Sequence, residues 1–89
     1  MKAPSHVTAK GTQNGALVTW RNEEPGADIF VVCRDGKEVA SLPISANQYV
    51  DTFNGKASYT VYVIDTDGNR SLASIPYYCL AGDADNEAP

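Results

Sequence analysis

Four times in 89 residues the chain places Gly directly after Asn or Asp, at Asn14-Gly15, Asp35-Gly36, Asn54-Gly55 and Asp67-Gly68. A fifth break stands at Glu24-Pro25-Gly26. Such pairs supply the positive φ angles of tight turns and leave little room for long helices between them. The intervening stretches are short, β-branched and aromatic: Ala16-Leu17-Val18-Thr19-Trp20, Ile29-Phe30-Val31-Val32-Cys33, Lys37-Glu38-Val39-Ala40-Ser41-Leu42, Ser58-Tyr59-Thr60-Val61-Tyr62-Val63-Ile64, and the run from Ser71 to Cys79. They alternate apolar with polar and show no sustained period of 3.6. Short strands spaced about 8–12 residues apart by turn residues predict an all-β antiparallel sandwich or barrel. Seven strands are expected, near residues 5–11, 15–21, 28–34, 37–42, 47–51, 57–65 and 70–79.

The alternation also assigns faces, because successive side chains of a strand point to opposite sides. Ala16, Val18 and Trp20 share one side, as do Phe30 with Val32, and Tyr59 with Val61 and Val63. Val7, Ala9 and Tyr49 complete an expected core around Trp20. A chain of this length buries only about 60–65% of its unfolded surface, which leaves room for one modest core and no deep cleft. From Leu80 to Pro89 the residues are small, acidic and unpatterned, so the expected module is 1–79 and residues 80–89 read as a linker or frayed tail.

Charge narrows the function. The net charge is −4, and the seven Lys and Arg are scattered; nucleic-acid binding needs a clustered basic surface. No apolar run approaches the roughly 18 residues that span a bilayer. The segment Met1-Lys2-Ala3-Pro4 lacks the apolar stretch of a secretion signal, so an exported parent would carry its signal elsewhere. Two cysteines, Cys33 and Cys79, are too few for a disulfide scaffold and too far apart for a zinc-binding pair.

In order and spacing these features resemble a fibronectin type III module over residues 3–79. Ala3-Pro4-Ser5-His6-Val7-Thr8-Ala9 matches the Pro-initiated first strand of that family, Trp20 its core Trp, and Phe30-Val31-Val32-Cys33-Arg34-Asp35-Gly36 its third strand and turn. Phe53 stands six residues before Tyr59-Thr60-Val61-Tyr62-Val63, where the family places a large apolar residue before Tyr-x-Val-x-Val. Phe53 replaces the usual Leu, and Cys33 stands where a second aromatic is common. The ending Asp67-Gly68-Asn69-Arg70-Ser71 resembles bacterial members, which often accompany the catalytic domains of secreted polysaccharide-degrading enzymes. The resemblance implies a seven-stranded immunoglobulin-like sandwich whose structural core includes Trp20, Phe30, Val32, Phe53, Tyr59, Val61 and Val63. The Tyr59 hydroxyl is expected to pin a corner by bonding an upstream backbone carbonyl.

Catalytic groups are hard to assemble from this sequence. His6 is the sole histidine and reads as a solvated side chain. Glu23 and Glu24 adjoin one another in a loop, with nothing apolar to raise a pKa for acid–base work. Asp65-Thr66-Asp67-Gly68-Asn69 lacks the sixth-position Gly and twelfth-position Glu of a calcium loop and reads as a hairpin turn. Arg34-Asp35-Gly36 likewise reads as a turn. Asn69-Arg70-Ser71 fits the glycosylation pattern, which matters only in a eukaryotic secretory route. No cofactor or metal is expected.

Two features stay open at this level. Tyr62 alternates away from the core, and Tyr77 and Tyr78 cannot both face inward, so Tyr62 with one of that pair is a candidate carbohydrate platform; cross-strand aromatic packing explains the same residues. Cys33 and Cys79 fall near one end of a sheet in the family's strand order. They would bridge only if the chain after Pro76 left the sheet. The expected function is a non-catalytic accessory spacer of a larger secreted or periplasmic protein, with its ends at opposite poles. Its expected partners are neighbouring domains. The alternatives are weak carbohydrate binding and a protein–protein or adhesion role, and the module is expected to be monomeric, with no membrane insertion.

Overall fold

In the computed structural model, residues 1–83 are described. Seven strands run through them: β1 (Ser5–Thr12), β2 (Gly15–Arg21), β3 (Ala27–Arg34), β4 (Lys37–Pro43), β5 (Gln48–Asp51), β6 (Gly55–Asp65) and β7 (Tyr77–Ala81). They form two antiparallel sheets, of order β1-β2-β5 and β4-β3-β6-β7. The sequence expectation of an all-β antiparallel sandwich therefore holds. Among the described residues no helix is long and apolar enough to cross a membrane.

The turns follow their residues. Asp35 and Gly36 both take positive φ, 52° and 83°, as a two-residue hairpin between right-twisted strands requires. Gly15 opens β2 at φ +143°, and a Cβ there would lie 1.9 Å from the carbonyl oxygen of Asp51. Only a residue without a side chain lets β5 pass so close to β2.

The inner faces of the two sheets supply the core. Ala16, Val18, Trp20, Phe30, Val32, Ala57, Tyr59, Val61 and Val63 are buried in one cluster with Ala9 and Ala81. Val7, Tyr49 and Phe53 pack against it, half-buried. Trp20 and Phe30 meet with ring centroids 5.5 Å apart at 60°, a tilted contact between the sheets that aromatic quadrupoles favour. The indole Nε1 of Trp20 is buried without a hydrogen-bond acceptor among the described residues.

The corner at Tyr59 differs from expectation. Its hydroxyl donates not to a backbone carbonyl but to the Asp51 carboxylate, at 2.6 Å. The same Oδ2 accepts from Arg34 Nη1 at 2.7 Å. Asp51 belongs to the three-stranded sheet, and Arg34 and Tyr59 to the four-stranded one, so one carboxylate ties the sheets together. Phe53 completes the group, with the Arg34 guanidinium 4.1 Å from its ring centroid.

The expected boundary at Cys79 falls inside β7. Leu80 pairs with Lys56 and Ala81 with Gly55, Ala81 is buried, and the Gly82 amide donates to the Gly15 carbonyl. The rest of the expected tail, residues 84–89, lies outside the described residues. The last strand also begins later than expected, at Tyr77 rather than near residue 70. Between Ser71 and Pro76 the chain runs beside β6 as an irregular strap. Ser71 and Ser74 offer their hydroxyls to the amides of Val63 and Val61, while their own amides donate to those residues' carbonyls. Pro76 has no amide to give a ladder, so regular pairing resumes only after it.

Candidate functional site

The tyrosines do not form the platform that their sequence positions suggested. Tyr77 lies opposite the buried Tyr59, so it belongs to the inward-facing series of β7, although it is 39% exposed at the edge. Tyr78 lies opposite Ser58 on the outer face and is 75% exposed. Tyr62 shares that outer face but sits four residues farther along β6, roughly 13 Å away at the rise of a strand. Arg70 also covers it, with the guanidinium carbon 5.2 Å from its ring centroid. Directly across the register stands Val31, fully buried even though it points away from the sandwich interior. Tyr62 therefore belongs to a packed outer patch, and Tyr78 alone of the three turns an open ring to the outer face.

Around Tyr78 runs a shallow groove of about 520 Å³, lined by Asp35, Lys56, Ala57, Ser58, Cys79 and Leu80. The Asp35-Gly36 turn forms one wall. It is held in place by a hydrogen bond from the Asp35 amide to the Ser58 carbonyl and one from the Ser58 amide to Asp35 Oδ1. Lys56 makes no ion pair among the described residues. Nothing in the sequence pattern placed Lys56, Ser58 and Asp35 together. The tie between the turn and β6 does so.

Cys33 and Cys79 are both free thiols, so the bridge left open by the sequence is not formed. They lie across β6 from one another, Cys33 opposite Thr60 and Cys79 opposite Ala57. Thr60 and Ala57 alternate to opposite faces of the strand, which turns the two thiols to opposite sides of the sheet. Burial pushes both thiols above their ordinary range, and burial with the Asp51 carboxylate beside it pushes the Tyr59 phenol higher still. In each case the folded state holds the neutral form, so the stabilisation is complete below the unfolded chain's value and is lost as pH rises past it. Unfolding free energy is expected to fall once pH passes about 8.5, where unfolded thiols ionise, and again past about 10 for the unfolded phenol. Denaturant midpoints at pH 7.5, 9 and 10.5 measure this, and a Cys33→Ala, Cys79→Ala variant should lose the first part of the decline.

His6 sits in a β-bulge at φ 53°. The Ser5 hydroxyl donates to Glu23 Oε2 and lies 2.9 Å from Nδ1 of His6. With its single proton committed to Glu23, that hydroxyl accepts from the imidazole, the reverse of what a histidine base requires of a nucleophile. Glu24 accepts the Lys2 amide at 2.8 Å. The Ser5 hydrogen bond holds Glu23 below the usual carboxylate range, and the Lys2 amide does the same for Glu24. Both carboxyls thus stay ionised, opposite to what a general acid needs. They tie the incoming chain to the β2–β3 loop.

The Asp65 turn is occupied by its own backbone. The carboxylate accepts from the amides of Asp67 and Asn69 and from the Asn69 side chain, and these donors hold it below its ordinary value. That is the hairpin-turn arrangement the sequence suggested, with the oxygens turned toward N–H groups.

No model of a known protein family matches the sequence, and no curated protein matches it. Solved structures do. The chain is similar to the fibronectin(III)-like modules of Clostridium thermocellum CbhA, at 18% identity and a TM-score of 0.64 over 91% of both chains. It is also similar to part of a β-1,2-glucanase from Parabacteroides distasonis, at 22% identity and TM-score 0.73, and to part of the spore cortex lytic enzyme SleM of Clostridium perfringens, at 20% and 0.66. It covers 90% and 88% of itself in those two matches but spans only 14% of the glucanase chain and 28% of the SleM chain. The fold is that of a fibronectin type III-like module.

Proposed function

We propose that this chain is a non-catalytic accessory module that acts as a rigid spacer within a larger exported protein, a polysaccharide-degrading enzyme by the company its fold keeps. The observation that carries the reading is the placement of its two ends. Lys2 and Ser5 are tied to Glu24 and Glu23, just beyond the last residue of β2, while Gly82 is tied to Gly15, the first residue of β2. Entry and exit are thus separated by the length of that strand, roughly 20 Å, and each end is fastened to the sandwich. The minor share of the glucanase and SleM chains that this fold occupies supports an accessory part beside a larger one.

A second reading, contact with a neighbouring domain through the β6–β7 connection, is favoured by Leu72 and Ile75, which are 83% and 87% exposed on the strap. The spacer reading is tested by spin labels at positions 2 and 83 in a Cys33→Ala, Cys79→Ala background, with distances measured by dipolar spectroscopy. A narrow distribution is expected, and it should stay narrow when a folded domain is fused to either end. A broad distribution would show ends that swing freely and would remove the rigid-strut mechanism.

A further inference from the structure

The exposed ring of Tyr78 is not explained by packing. Cross-strand aromatic pairs stabilise many solvent-facing sheets, but the residue opposite Tyr78 is Ser58. Among the described residues no aromatic ring or cation stacks on it, in contrast to Tyr62 under Arg70.

Its surroundings define what would fit. The groove beside the ring has Leu80 as an apolar neighbour, and three polar groups line it. Lys56 offers an ammonium donor, the Ser58 hydroxyl has no hydrogen-bond partner among the described residues, and Asp35 keeps one carboxylate oxygen beyond that used by the Ser58 amide. One cation and one anion cancel, so the groove selects for a neutral ligand that both donates and accepts hydrogen bonds. The chain's net charge of −4 repels polyanions at long range. A site open along the sheet admits an inner segment of a chain molecule, whereas small ligands are held in enclosed pockets.

We infer that this groove binds pyranose units of a neutral polysaccharide, with the less polar face of one ring on Tyr78 and its hydroxyls at Lys56, Ser58 and Asp35. The site is independent of the spacer role, since it touches neither tied end, and the two fail separately. Native gel electrophoresis through soluble polymers tests it, using a β-glucan, a mannan and a xylan as neutral probes and polygalacturonate as the anionic one. Retardation is expected in at least one neutral polymer. It should weaken about tenfold or more in Tyr78→Ala and be unchanged in Tyr62→Ala. Unaltered melting temperature of Tyr78→Ala, expected for so exposed a residue, separates loss of binding from loss of fold. Mobility unaffected by every neutral polymer, retardation that survives Tyr78→Ala, or retardation in polygalacturonate alone would each overturn the assignment.

Discussion

Replacing Asp51 by Ala is expected to remove about 2–4 kcal/mol of stability, the sum of an orphaned buried donor and a lost, partly exposed ion pair. The Asp51 side chain is 5% exposed and serves two donors at once. Without it the Tyr59 hydroxyl, on a fully buried side chain, loses its acceptor, an effect of about 1–3 kcal/mol by itself. Arg34 contributes less, because its side chain is 26% exposed and recovers water as a partner. Domains are stable by only about 5–15 kcal/mol, and an 89-residue sandwich belongs at the low end, so the variant should unfold at a much lower denaturant concentration. Two further substitutions separate the causes. Asp51→Asn keeps an acceptor for Tyr59 and should lose less than Asp51→Ala. Adding Tyr59→Phe to Asp51→Ala should restore part of the loss, since it removes the orphaned hydroxyl. If the double variant is no more stable than Asp51→Ala, the orphaned donor is not the source of the effect.

Gly15→Ala is expected to be more severe, about 4 kcal/mol or more, in the tail of single-substitution effects that marks a specific structural conflict. The added methyl carbon would fall 1.9 Å from the Asp51 carbonyl oxygen and 3.0 Å from the Phe53 amide nitrogen. Both are backbone atoms and cannot swing aside like the end of a side chain. The φ of +143° adds strain for any residue with a Cβ. Because β5 would have to move, the substitution should also displace the Asp51 carboxylate and so compromise the corner it holds. Gly36→Ala is the internal comparison: its added Cβ meets nothing within 4 Å, so it carries the conformational cost alone, on the order of 1–2 kcal/mol. Chemical denaturation of the two variants side by side reads the difference, and equal losses would show that the close approach of β5 contributes nothing.

The fold was legible because its signals are local. Asp35-Gly36 dictates a turn from the torsions its residues tolerate, and the alternation in Tyr59-Thr60-Val61-Tyr62-Val63 fixes which side faces inward. The carboxylate at the corner left a weaker signal that the sequence reading did not use: Asp51 stands two residues from Tyr49 and so shares its face. Alternation carries nothing about its partners, since Arg34 and Tyr59 come from the other sheet at separations of 17 and 8 residues. The strap misled for the opposite reason. Ser71 to Cys79 is short, largely apolar and preceded by a turn, as a strand would be, and composition does not distinguish a serine that presents its side chain to the edge of β6 from one in a regular ladder. The groove at Tyr78 depends on register. A sequence shows that one of Tyr77 and Tyr78 faces outward, but only the pairing of Tyr59 with Tyr77 decides which.

The two serines of the strap also bear on how such a chain behaves among its own copies. The outer half of β6 presents the amides and carbonyls of Val61 and Val63 to the side away from β3, and a row of that kind recruits any extended segment that reaches it. Ser71 and Ser74 occupy those groups with one hydroxyl and one amide each, while the strap itself is too irregular to extend the ladder outward. Over those residues the ladder is closed chemically as well as geometrically. A second copy that reached this stretch would find the backbone of Val61 and Val63 already taken, and strand-to-strand assembly would have to start elsewhere, as along β7, the edge strand of that sheet.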